Sequence, residues 1–188
     1  MTNNSIKNNF KQLLIGVGFF LVYVPTLIWM WDRWFARDSY YSHGILIPFV
    51  TVFLIWQKRD ELASTKKTAS TWGMPLIILG MVMHAFGSLM RVYFISGFSM
   101  LIVLIGLILF FYGAAVLRKI IFPVFFLVFM IPVPLVIITN ISFKMKLFAA
   151  KIAASLLSNS GIPAIQEGSI IRMQHTQIIV DDVCSGLR

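Results

Sequence analysis

One cysteine, Cys184, stands in a chain of 188 residues, so no disulfide can close within it, and its thiol is the strongest nucleophile the sequence offers. Ser185 and Gly186 follow it, a small-residue turn suited to starting a helix, and Arg188 lies one helical turn further on. At a helix N-terminus the macrodipole and free N–H groups favour thiolate over thiol. The same N–H groups stabilise an oxyanion, and Arg188 adds positive charge along that face. The plain alternative is a small incidental hydrophobe. Asp181 and Asp182 would oppose thiolate formation if they faced it, and strand alternation puts only Asp182 on the side of Cys184. Adjacent aspartates pointing apart hold a metal poorly, and no metal or other cofactor is expected.

A thiol nucleophile works with a base, most often histidine, and the chain has three. His175 lies in a turn nine residues before Cys184 and reads first as an exposed turn residue. His43, in Tyr41-Ser42-His43-Gly44, either faces the same compartment or caps the local structure. His84 falls inside an apolar run and reads as a neutral histidine hydrogen-bonded within a bundle.

The elements that must position these groups are set by composition. Hydrophobic residues make up 59% and charged residues 12% of the chain, whereas a soluble domain carries about 25% charged residues. A water-soluble fold of this length cannot hide so much apolar surface, so the solvent is largely lipid. The reading is an all-α polytopic membrane protein. It has about five to six transmembrane helices and a short extramembrane β-hairpin before the cysteine. The 16 Lys and Arg against 7 Asp and Glu act as loop charges and contacts for lipid head groups. No basic run interleaved with aromatics is present, so nucleic acid is not an expected partner.

Apolar runs place spans at about 13–31, 45–56, 74–90, 98–117 and 120–141, with 141–158 as either a further span or an interfacial helix. The run from Ile120 carries Pro123, Pro132 and Pro134, which predicts a kink or break near Ile131–Pro134. In 141–158, Lys144, Lys151, Ser155 and Ser158 form a polar stripe and Met145, Ala149, Ile152 and Leu156 an apolar one. Residues 159–183 read as an outer hairpin, with strands at 169–173 and 177–183 about a turn at 174–176. Lys7, Lys11, Lys58, Arg59, Lys66, Lys67, Arg118 and Lys119 share one side if the spans alternate. Only Arg33, Arg37 and Arg91 face the other up to the fifth span, which puts the N-terminus inside. Lys144, Lys146, Lys151, Arg172 and Arg188 level the tally if they join the outer side, but they belong to a longer segment where the rule loses force.

These residues resemble the exosortase and archaeosortase transpeptidases, the EpsH-type membrane proteins. Ser42-His43-Gly44, followed by Pro48 and a run ending in Trp56, is similar to the family's N-terminal SHG region. Phe129-Met130-Ile131-Pro132-Val133-Pro134 is similar to its FMIPxP stretch, and Gly168–Ile171 with Ile178–Val180 to its hairpin. Cys184-Ser185-Gly186-Leu187-Arg188 resembles the CSGxR nucleophile motif. The likeness runs from about Tyr40 to Arg188 and implies one transmembrane domain over 1–188 in the bacterial cytoplasmic (inner) membrane, active-site side outward. It implies a cysteine protease that cuts C-terminal sorting tails of the PEP-CTERM type from exported proteins, Cys184 attacking the scissile carbonyl to form a thioester. Ser185, Gly186 and Arg188 would support Cys184. The alternative is a non-enzymatic membrane protein, a transporter subunit or assembly partner.

The family's N-x-x-R stretch and its later histidine or second arginine lie beyond the cysteine motif, so this sequence reads as incomplete at its C-terminus. The 188-residue chain by itself is therefore expected to be inactive or nearly so. Expression alongside a PEP-CTERM substrate checks this, and efficient Cys184-dependent processing would overturn it.

Overall fold

The computed structural model describes residues 2–37, 39–173 and 176–180. The chain divides into two compact units, 1–132 and 133–188.

The first unit is helical. Helix α1 (Thr2–Trp34) is followed by a 3₁₀ turn (Ser42–Ile45), α2 (Leu46–Gln57) and the short α3 (Arg59–Ala63). Then come α4 (Gly73–Leu89), α5 (Tyr93–Tyr112), α6 (Ala114–Phe126) and a second 3₁₀ turn (Leu127–Met130). Apolar side chains cover the outside: Leu13, Phe20 and Leu21 on α1 and Phe49 and Val52 on α2 are all more exposed than buried. That is the distribution of a protein whose surroundings are hydrocarbon.

Among the described residues two helical stretches are long and apolar enough to cross a bilayer, Leu13–Trp34 and Tyr93–Tyr112, and Ala114–Met130 with Leu135–Asn159 meets the same test only as a pair. Ser42–Gln57 and Gly73–Leu89 are shorter apolar helices. The boundaries depart from those expected because backbone breakers cut the apolar runs. The expected span 98–117 is divided at Gly113, whose φ of +84° ends α5. A Cβ there would collide with the Thr68 carbonyl, so only glycine lets the chain fold back onto that loop. The expected span 120–141 is likewise divided. Its first part belongs to α6, which starts at Ala114, and its last part to the helix that follows the prolines.

Helices α4 and α5 form an antiparallel pair whose contact is made of small residues. Gly73, Gly80 and Gly87 recur every seven residues along α4. A Cβ on Gly73 would fall 2.5 Å from Gly106 O and Phe110 N, and one on Gly80 would fall 2.5 Å from Val103 Cγ2 and 3.1 Å from Ser99 O. In lipid there is no hydrophobic drive between apolar helices, so close backbone packing of this kind supplies the attraction. The turn between them is closed by Val92 N–H donating to Gly87 O (2.7 Å) and Arg91 N–H to Ser88 O (3.1 Å), with Arg91 at φ +56°. This is the Schellman pattern that caps a helix C-terminus, with arginine in the left-handed position.

Buried polar side chains then join α1 to this pair. Ser99 Oγ donates to Ser96 O (2.7 Å), so its single proton is committed and Tyr23 O–H donates to Ser99 Oγ (3.0 Å). Ser96 Oγ lies 2.6 Å from Thr26 Oγ1 and 2.7 Å from His84 Nδ1. Thr26 donating to Ser96, and Ser96 donating to Nδ1 of His84, gives both hydroxyls and that ring nitrogen a partner. The Tyr23 and His84 rings are 4.4 Å apart. His84 thus takes the bundle-internal role read from its position.

In the second unit α7 (Leu135–Asn159) carries an antiparallel sheet in the order β1 (Ala164–Glu167), β2 (Ile170–Met173), β3 (Gln177–Ile179). β2 and β3 fall within the two runs read as a hairpin, with Ile171 opposite Ile178; β1 was not foreseen. Its pattern of Ala164, Ile165, Gln166 and Glu167 lacks the clean alternation that announces a strand, and it is held by β2 on one side and α7 beneath.

Helix α7 also carries a small-residue face that the two stripes read from the sequence did not include. Its buried face is Ala150 and Ala154, with Ala153 and Leu157 beside them, under Ile171 of β2. Of the expected apolar stripe, Met145, Ile152 and Leu156 are exposed and Ala149 is half-buried. Small residues let the sheet lie close on the helix, whereas large apolar side chains suit a face turned to lipid.

Gly80→Leu should separate α4 from α5 and lower the thermal midpoint of the detergent-solubilised protein, whereas Gly16→Leu, in open space on α1, should leave it nearly unchanged. Equal midpoints for the two variants would contradict the packing role.

Candidate active site

Cys184, Ser185, Gly186 and Arg188 lie outside the described residues, as do His175, Asp181 and Asp182. What is described is the chain that leads to them. Val180 is the last described residue, four positions before Cys184. Its N–H donates to Ser169 O (2.9 Å), and its side chain packs against Ala150, Ala154 and Ile171. β1 is tied down in turn: Gln166 Nε2 donates to Leu147 O of α7 (3.0 Å) and to Gly168 O (2.9 Å), and Arg172 pairs with Glu167 across the first hairpin at 3.1 Å. Strand β3 is therefore anchored on the sheet, and Val180 just beyond it on the cluster that includes Ala150 and Ala154 of α7.

The other two motifs meet each other in the first unit, and Trp34 joins them. An α-helix continued through the proline stretch would have Met130 O accept from residue 134 and Val128 O from residue 132, and both donors are missing because both residues are proline. Ile131 turns extended at ψ 116°, and its N–H bonds Val128 O at 3.1 Å. Met130 O receives the indole N–H of Trp34, at 2.9 Å, from the end of α1. The third proline follows the same rule. Pro123 frees Lys119 O, which accepts from Lys58 Nζ at 2.7 Å.

The SHG turn supplies the room for Trp34. Gly44 lies flat on the indole, so closely that a Cβ would overlap Nε1. Trp34, Ile47, Met130 and Ile131 are all buried in one cluster with Tyr23 and Met30. His43 is exposed, with its ring 6.1 Å from that of Tyr41, and His84 is engaged by Ser96. Among the described residues no group of three or more His, Cys, Asp or Glu side chains could hold a metal ion.

The sequence alone did not single out Trp34 as a donor. The prolines announce carbonyls left without donors, but nothing local in the sequence says which side chain meets them. The Tyr23–Thr26 and Ser96–Ser99 pairs, each spaced by three on an apolar helix, stand out as polar positions, but their meeting is a tertiary fact.

Apolar helices tied by buried polar contacts, with breaks closed by side-chain donors, define a helical membrane protein. A family model described as transmembrane exosortase (Exosortase_EpsH) matches residues 30–188. The chain belongs to the exosortase family, whose members are cysteine peptidases and transpeptidases that act on exported proteins with C-terminal sorting signals. No curated protein and no solved structure matches the chain.

Trp34→Phe keeps the ring but removes the donor, leaving a buried carbonyl unpartnered at a cost of about 1–3 kcal/mol. The variant should unfold at lower temperature in detergent than the parent, and an unchanged midpoint would remove Trp34 from this role.

Proposed function

We propose that this chain carries the nucleophile of a membrane cysteine transpeptidase that cleaves the C-terminal sorting tail of exported proteins, with Cys184 attacking the scissile carbonyl. The observation that carries the reading is the family match over residues 30–188, which includes Cys184-Ser185-Gly186-Leu187-Arg188. Thiolate sulfur adds to the carbonyl carbon, and the tetrahedral oxyanion collapses as the C–N bond breaks. The departing amine takes a proton and leaves with the tail, and the exported protein remains on sulfur as a thioester. Water or an acceptor nucleophile then attacks that carbonyl, and the thiolate returns. In this scheme the N–H groups at Ser185 and Gly186 face the oxyanion and Arg188 favours the thiolate.

The anchored strand β3 supports this reading, because a nucleophile must be held within a fraction of an ångström of its productive place. The basic residues of the loops support an N-terminus on the cytoplasmic side of a bacterial inner membrane and a cysteine segment facing outward.

Replacing Cys184 with Ala at the chromosomal locus should make tailed precursors accumulate uncleaved, and hydroxylamine should release a covalent protein adduct from the parent but not from the variant. Normal precursor processing in the variant would instead favour a non-enzymatic membrane protein.

A further inference from the structure

We propose that a cavity between the adjoining ends of α2, α3, α5 and α6 is a binding site for one anionic phospholipid, with an acyl chain inside and the phosphate at its mouth. The cavity holds about 590 Å³, and its floor is apolar: Ile55, Ile108, Val116 and Ile120. Volumes of this order suit a small-molecule ligand. Two cations also line it, Arg59 and Lys67, and each lies over an aromatic ring. The Arg59 guanidinium is 4.6 Å from the centre of Trp56 and the Lys67 ammonium 5.5 Å from that of Tyr112. Cation–π contact holds a charge in place without neutralising it.

The acids nearby do not cancel these charges. Asp60 is 3.6 Å from Arg59 in an exposed neighbouring pair, a geometry worth little. Glu61 is taken by Lys119 at 3.1 Å. Among the described residues Lys67 makes no ion pair. An apolar interior with a doubly cationic mouth is complementary to an amphiphile whose head is a net anion, and it repels the ammonium that a zwitterionic head carries beside its phosphate. Tryptophan and tyrosine at helix ends also belong at head-group depth, and basic pockets between membrane helices are the usual form of acidic-lipid sites.

The inference is independent of the chemistry at Cys184. Native mass spectrometry of the full chain, with phosphatidylglycerol and a chain-matched phosphatidylcholine in competition, should show a roughly 30-fold preference for the anionic lipid, the effect of two cations at a membrane surface. The pair Arg59→Gln with Lys67→Gln should bring the two lipids to near parity. The charge-conserving pair Arg59→Lys with Lys67→Arg should keep the preference and shows that folding has survived substitution there. Equal retention of both lipids by the parent protein would overturn the proposal. So would saturation of the site by inorganic phosphate alone, or a lipid-free dimer in which a second copy fills the cavity.

Discussion

A carbonyl left without a donor in a hydrocarbon medium costs several kcal/mol, and much of the first unit is arranged around that constraint. Pro123, Pro132 and Pro134 each remove the N–H that an α-helix would offer four residues earlier. The three orphaned carbonyls are met in three different ways: by a lysine from the neighbouring loop, by a tightened local turn, and by the Trp34 indole. The last spans 96 positions in sequence. It requires α1 to end beside the break and Gly44 to leave space for the ring, so the position of the SHG turn is coupled to that of the FMIPxP stretch.

That coupling gives the two family motifs a structural meaning. His43 is exposed while its neighbour Gly44 is buried, so the SHG segment combines an accessible histidine with a glycine whose absent side chain is the functional property. The prolines do the complementary work, ending one helix at a defined residue and starting α7 at the next; Pro134, at ψ 135°, is its N-cap. Elsewhere cohesion comes from close glycine packing between α4 and α5 and from the Tyr23, Thr26, His84, Ser96 and Ser99 contacts, the kinds of attraction that remain when lipid has removed the hydrophobic drive.

Membrane residence, the break near Ile131–Pro134 and the two strands about residues 174–176 could be read directly from residue types and spacing. Proline chemistry, hydropathy and β-branching act locally and leave local marks. Helix limits were less legible. Gly113 looks like any glycine in an apolar run until its φ and the Thr68 carbonyl above it are seen. The face that α7 buries was not legible for the same reason, since Ala150 and Ala154 gain their role only from the sheet that lies on them.

Composition and motif order placed the chain among the exosortases, and Cys184 is the nucleophile proposed for it. These follow from covalent identity and order alone. Tertiary structure decided which side chain closes each gap in the backbone, which glycines are contacts and which are breaks, and where cationic side chains gather over an apolar cavity. Such facts depend on residues up to 96 positions apart meeting at hydrogen-bond distance, and no local pattern of hydropathy or propensity records those meetings.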